Sequence, residues 1–243
     1  MKLCFILACK VNKNYESYIP FYVENIQTFY PTADIILVDN NSSYKEFFDQ
    51  FKDNKQIVVL ENTSEQKFPL GAFNFAARYV YEKSLTYDYC ICTQDTFVLL
   101  NKFEFQILKD NNVEACPIAH ILSVDGVPEH YDVLKSIGLY VPNDMYRGAW
   151  CTSWVCTSTA LKKIYDYTHK IKVTTNWDSQ VCERYMGKVL KHLNNNRDFS
   201  IEGNNSAIDR IYTVATVSVN DPESKKKCVA FLKKSQAKTE AIV

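Results

Sequence analysis

The chain has 243 residues, 47% of them hydrophobic, with 28 Lys and Arg against 28 Asp and Glu. That apolar mass suffices for the core of a single α/β domain and excludes a chain disordered over most of its length. Balanced charge argues against nucleic acid as the main partner, because duplex binding relies on clustered Lys and Arg that release counterions from phosphates.

The first apolar run, Leu3–Cys9, reads as a buried strand. It is too short and starts too early for a secretory signal, and Lys10 and Lys13 follow it at once. No run approaches the roughly 20 apolar residues of a membrane span, so a cytoplasmic protein without a membrane segment is expected. The sequons at Asn40, Asn41, Asn62 and Asn204 would then carry no glycan. Nine cysteines, an odd number, several of them inside apolar runs (Cys4, Cys90, Cys92), read as reduced core residues and lack the spacing of a zinc site.

Ile19, Tyr22, Val23, Ile26 and Phe29 recur at helical spacing, 35–38 reads as a second strand, and Phe47, Phe48 and Phe51 share one side of a short helix. A third strand at 57–60, a helix at 70–83 and a fourth strand at 89–92 complete a βαβαβαβ series. Apolar runs without alternation belong to a parallel sheet covered on both faces. The fold class expected is therefore α/β: a doubly wound, mostly parallel central sheet flanked by helices, with a smaller mixed region after it. Ligands of such sheets bind outside the carboxyl ends of the strands, here 8–10, 39–42, 61–63 and 93–96. Beyond residue 100 the pattern predicts strands at 113–122, 149–157 and 211–219 and helices at 159–169 and 177–193. The polar stretch 194–206 reads as a mobile loop, and 225–243 as a terminal helix with a frayed end.

No G-x-G-x-x-G and no G-x-x-x-x-G-K-[ST] is present, which disfavours dinucleotide and P-loop enzymes. Instead an acid stands at the end of two strands, in Val38-Asp39-Asn40-Asn41-Ser42 and in Thr93-Gln94-Asp95-Thr96. One carboxylate can accept from a base N–H or a ribose hydroxyl; the other can hold a divalent cation beside a diphosphate.

With Gly71-Ala72-Phe73-Asn74 opening a helix, these motifs in this order resemble the GT-A fold glycosyltransferases, in particular the small nucleotide-sugar enzymes with a family-2-like N-terminal half. The resemblance covers about residues 1–100 by motif and the remainder by order of elements. It implies one GT-A-like domain over 1–243, with a nucleotide-sugar-binding half at 1–100, an acceptor and catalytic half at 101–220, and a tail or helix at 221–243. It implies a nucleotide diphosphate donor, UDP-linked, held by Ala8, Lys10, Asp39, Asn40, Lys67, Gly71, Asn74, Thr93, Gln94 and Asp95. Asp39 would contact uracil, and Asp95 would be the last acid of a D-x-D motif binding Mn²⁺ or Mg²⁺. Thr93 stands where that motif has its first acid, so that either metal affinity would be reduced or the metal would be held through Asp95 and diphosphate oxygens with water filling the rest. Each residue also has a plainer reading: Asp39 with Asn40 and Asn41 as turn chemistry, Asp95 as a turn cap, Lys67 as a solvated lysine, Gly71 as a point of close packing.

Transfer with inversion needs a carboxylate to take the proton of the acceptor hydroxyl. Asp178, in Thr174-Thr175-Asn176-Trp177-Asp178 ahead of an apolar stripe of helical period, stands where the family places that base, with Glu183 one turn later as the poorer candidate. Thr175 and Asp178 also have the spacing of a capping box. Gly148, Trp150 and Trp177 are the expected contacts to sugar or acceptor, a glycan or another hydroxyl compound, and Trp154 is expected in the core. Lys225-Lys226-Lys227 reads as a solvated run, or as a closure over the diphosphate. Two other functions stay open: a glycosyltransferase-like binding module without turnover, for which Thr93 speaks, and a nucleotidyltransferase.

Overall fold

The computed structural model describes residues 1–13, 18–95, 97–99, 102–118, 120–123, 128–149, 152–197, 199, 201 and 211–213. Four parallel strands run side by side in the order β3-β2-β1-β4: β1 (Leu3–Cys9), β2 (Asp34–Asp39), β3 (Ile57–Glu61) and β4 (Tyr89–Gln94). Strand β9 (Trp154–Cys156), antiparallel to β4, and then β6 (Ala115–Pro117), antiparallel to β9, extend the sheet beyond β4. All seven residues of β1 are buried because the strand is covered twice. Cys4, Ile6 and Ala8 point into one core layer, and Leu3, Phe5, Leu7 and Cys9 into the other. This is the expected doubly wound α/β fold, with a mixed edge.

On one face lie α2 (Phe68–Glu82), α5 (Ser158–Thr168) and α6 (Asn176–Leu193); α1 (Ile19–Phe29) and a 3-10 helix (Lys45–Phe51) lie on the other. Pro20 begins α1, where its missing N–H costs nothing, and the chain leaves the helix at Tyr30, just before Pro31. The first layer centres on Trp154, as expected a core residue, whose ring meets Phe73 of α2 edge-on at 4.9 Å. The described cysteines are all free and buried, and burial pushes the Cys4, Cys9, Cys92 and Cys116 thiols up, away from reactive thiolate.

The second half departs from the sequence expectation. The predicted strand at 113–122 is two strands in different sheets: β6, and β7 (His120–Ser123), which pairs with β8 (Arg147–Ala149). The predicted strand at 149–157 likewise divides into β8 and β9, and between them Thr152 takes φ +49°, which an extended strand cannot contain. Two helices had not been anticipated: α3 (Gln106–Asp110), too short to show a period, and α4 (Pro128–Ser136), with only His130 and Leu134 buried. Strand β10 (Ile211–Thr213) pairs antiparallel with β5 (Phe97–Leu99). The rest of the 211–219 expectation lies outside the described residues, as do most of the loop expected at 194–206, the 225–243 helix and Lys225-Lys226-Lys227.

Helix α6 carries the predicted buried stripe, with Val181, Cys182, Tyr185, Val189 and Leu193 inward. It is fixed to the rest of the chain twice. Gly187 lies against β8 so closely that a Cβ there would stand 1.8 Å from the Arg147 carbonyl oxygen. One residue later the buried Lys188 ammonium pairs with Asp144. Burial alone would raise the Asp144 carboxyl, but the bonds from Lys188 and Lys191 more than reverse this and hold it below its usual value. No described helix is long and apolar enough to cross a membrane.

Candidate functional site

The carboxyl ends of β1, β2 and β4 bring six of the predicted residues together. In register, Cys9 stands beside Asp39 and Ala8 beside Gln94, so β1 ends between the two acids. The Asp95 amide donates to the Ala8 carbonyl at 3.0 Å, and the Lys10 amide donates to Asp95 Oδ2 at 2.9 Å. The Asn40 amide donates to the Cys9 carbonyl at 2.7 Å. After burial itself, the charges of Asp95 and Asp39 raise the Cys9 thiol, so both carboxylates act on the same point at the tip of β1.

Asp39 is 3% exposed, and its Oδ1 accepts from the Ser42 amide at 2.8 Å. Asn41 adopts φ +68°, a conformation Asn tolerates, and Ser42 Oγ accepts from the Val11 amide at 2.8 Å. The turn reading of this motif therefore describes its backbone, and the turn fixes where the Asp39 carboxylate sits. Asn40 is held by Asn62, whose amide donates to Asn40 Oδ1 and to the Gln66 carbonyl, each at 2.9 Å.

The Thr93 hydroxyl is fully buried and donates to the Tyr22 hydroxyl at 3.2 Å, beneath α1. Asp95 is only partly buried. Among the described residues no three His, Cys, Asp or Glu side chains gather as metal ligands. One partly exposed carboxylate is the donor set for a hard cation that arrives bound to phosphate oxygens and keeps waters, and Asp95 fits a cation carried in that way rather than a pre-formed metal cage.

The other predicted residues are dispersed. Asn74 is 5% exposed, gives its amide to Gln66 Oε1 at 3.1 Å and accepts from Thr168 Oγ1 at 2.8 Å, so its side chain joins α2 to α5. Gly71 is required by packing: a Cβ there would meet the Gln66 carbonyl oxygen at 2.2 Å. Lys67 precedes α2, with its ammonium on the Ser64 carbonyl at 3.0 Å and its amide on the Val173 carbonyl at 3.2 Å. Gly148 is buried against α6, where a Cβ on Gly187 would lie 2.7 Å from the Gly148 Cα. Trp150 lies outside the described residues. Trp177 stands 45% exposed at the start of α6, with the Arg184 guanidinium 5.9 Å from its ring centre.

Asp178 forms the predicted capping box with Thr175. Its Oδ2 accepts from the Thr174 amide at 2.9 Å, the Thr175 amide at 2.8 Å and the Thr174 hydroxyl at 3.2 Å. The two backbone donors hold its carboxyl below the usual carboxylate range. A depressed value stabilises the folded state above the ordinary carboxylate pKa of about 3.9 and ceases to do so as pH falls through the lowered one.

Two positions escaped the sequence reading. Gln66 ties α2 to the end of α5, donating from Nε2 to the carbonyls of His169, at 2.9 Å, and Ile171; no pattern marks it. Thr152 is buried in the left-handed region, its hydroxyl without a partner among the described residues, two residues ahead of Trp154 where β9 begins. A β-branched residue in that conformation is strained, and strain has no sequence signature.

No family model matches the sequence, and no curated protein matches it. Among solved structures, S. aureus TarS 1–349 is similar in fold, with a TM-score of 0.52 and 14% identity, covering 97% of this chain and 65% of that one. The same fragment in complex with UDP-GlcNAc aligns with a TM-score of 0.44 and 14% identity, over 77% of this chain and 54% of that one. A putative glucose-1-phosphate thymidylyltransferase from Bacillus anthracis, in complex with a sucrose, gives 0.45 and 7% identity over 82% and 85%. The chain thus spans somewhat under two thirds of the length of TarS 1–349, and the likeness to it is one of fold: the mostly parallel α/β architecture expected of a GT-A-like chain is the architecture this molecule has.

Proposed function

We propose that this chain is a glycosyltransferase that moves a sugar, with inversion, from a UDP-linked donor to a hydroxyl of a glycan or similar acceptor, residues 1–100 holding the donor and 101–220 the acceptor side. The observation that carries this reading is the pair of carboxylates, Asp39 and Asp95, bracketing the tip of β1 at the open end of four parallel strands. Asp39, fixed by its turn, accepts from the uracil N–H, and the backbone around Ala8, Lys10 and Asn40 shapes the floor. Asp95 is the residue that would hold Mn²⁺ or Mg²⁺, and the cation, when bound, would supply positive charge to the leaving diphosphate. Asp178 takes the acceptor's proton, its carboxylate set in place by the Thr174 and Thr175 bonds to Oδ2.

A second reading, a binding module that keeps the cleft without turnover, is favoured by one observation. The bonds that lower the Asp178 carboxyl make it a weak base. A thermal-shift screen of nucleotides and nucleotide sugars, with and without Mn²⁺, tests the donor reading. Stabilisation by UDP and UDP-sugars, strengthened by Mn²⁺, is expected; no response to any nucleotide would remove both the transferase and a nucleotidyltransferase from consideration. In the same screen Asp95→Asn is expected to melt within about 1 kcal/mol of the unmutated chain, because a partly exposed strand-end residue contributes little to the core, and to lose the Mn²⁺ increment. An increment that survives the substitution removes Asp95 from the metal.

A further inference from the structure

A groove of about 320 Å³ opens between the start of α2, the end of α5 and the segment that leads into α6. Its charged lining is unbalanced. Arg78, Lys170 and Lys172 face it with His169, against the single acid Glu65, in a chain whose total charge is zero. Lys170 and Lys172 are exposed, and the nearby lysines of α5, Lys162 and Lys163, are the ones paired with Asp166 and Glu114. Arg78 has a solvent-exposed contact to Glu82 at 3.6 Å, which holds it weakly, and its guanidinium lies 5.1 Å from the centre of the Phe75 ring, itself part of the groove wall.

Lysines just past a helix often serve its terminal carbonyls. Here Gln66 already occupies that position, donating to the carbonyls of His169 and Ile171. Lys170 and Lys172 line the groove, Lys170 at its border with a second cleft beside Asp166. At one end the groove reaches Thr174, whose amide and hydroxyl both bond Asp178 Oδ2. At its other wall, Gln66 is joined through Asn62 to Asn40 in the strand-end cleft. The groove therefore runs beside the proposed base and next to the proposed donor site.

We infer that this groove, one wall of which residues 64–78 of the donor half supply, is the acceptor site and that the acceptor is anionic, a chain carrying carboxylate or phosphate groups that lie along Arg78, Lys170 and Lys172 while a hydroxyl reaches Asp178. The inference rests on the glycosyltransferase reading for the word acceptor, and on the groove's own charge for the word anionic. Attraction to exposed cations in a groove is screened by salt, so binding weakens as ionic strength rises.

The test is calorimetry on the full chain with its donor cleft filled by saturating UDP. Trigalacturonate and tripolyphosphate serve as the carboxylate and phosphate probes, and maltotriose as an uncharged probe. At least one anion is expected to bind at least tenfold more tightly than maltotriose, and to lose about tenfold in the Lys170→Gln, Lys172→Gln double variant, with UDP affinity unchanged within twofold. The inference is overturned if neither anion outbinds maltotriose, or if the double variant binds the anions as the unmutated chain does. Should UDP fail to bind, the donor reading falls by that result alone. The anion titrations, repeated without UDP, still decide the groove by the same double variant.

Discussion

Asp178→Asn is expected to lower glycosyl transfer on the order of 10² to 10⁴-fold while leaving donor binding unchanged. Asn keeps a carbonyl oxygen for the Thr174 and Thr175 amides, which now meet Oδ2 at 2.9 and 2.8 Å, so the start of α6 should hold its shape. Loss of the cap's charge should cost up to about 1 kcal/mol of stability. The two roles separate cleanly: a variant that melts earlier but turns over at full rate leaves Asp178 as a cap, and Glu183 becomes the residue to test. The pH profile gives an independent check. With its carboxyl held low by the Thr174 and Thr175 amides, Asp178 stays ionised through the ordinary carboxylate range, so the acid limb of kcat/KM assigned to it should fall below about pH 3.9. A limb near neutrality would indicate another base. Donor hydrolysis by water can serve as the assay where no acceptor is in hand.

The second large effect is structural. Gly187→Ala is expected to destabilise the chain by about 3 kcal/mol or more, the upper end for overpacking, lowering Tm by roughly 6 to 12 °C for a domain of this size. Helix propensity alone favours Ala over Gly by about 1 kcal/mol. The added Cβ, however, would sit 1.8 Å from the Arg147 carbonyl oxygen and 2.7 Å from the Gly148 Cα, and backbone cannot swing aside as a side-chain tip can. Gly138→Ala makes the contrast: φ is +73° with nothing within 4 Å, so only backbone strain opposes it and about 1 kcal/mol is expected. A Gly187 variant as stable as the unmutated chain would mean that α6 does not lie against β8 as described.

These two sites show what the sequence could and could not convey. The parallel half was readable because each strand is covered on both faces: Leu3–Cys9 shows an unbroken apolar run, and Phe68–Glu82 a helical period between two such runs. The Thr175–Asp178 cap was readable because a capping box has a fixed spacing. Beyond residue 100 the strands are three or four residues long, too short for any period, and the breaks between them rest on backbone angles such as that of Thr152. The apolar stripe of α6 gave its buried face, but nothing in the sequence placed a carbonyl of β8 against Gly187. The motif residues divided for a similar reason. Asp39 and Asp95 were recognisable by position at strand ends. Asn74 and Thr93 have side chains that could serve a ligand, and only their partners, Gln66 and Thr168 for one and Tyr22 for the other, reveal where they are engaged.

The central claim, a nucleotide diphosphate held at the tip of β1 between Asp39 and Asp95, is tested most directly by calorimetry of UDP against the unmutated chain and Asp39→Ala. Removing a charged acceptor from a buried contact should cost roughly 1 to 3 kcal/mol of binding, about 5- to 150-fold in Kd. Thermal melting of the variant, measured alongside, reports what the lost Ser42 bond costs the fold. The account predicts saturable UDP binding that weakens by that amount in a variant still folded at the working temperature. UDP binding of equal strength in both proteins, or no binding in the unmutated chain, would contradict it.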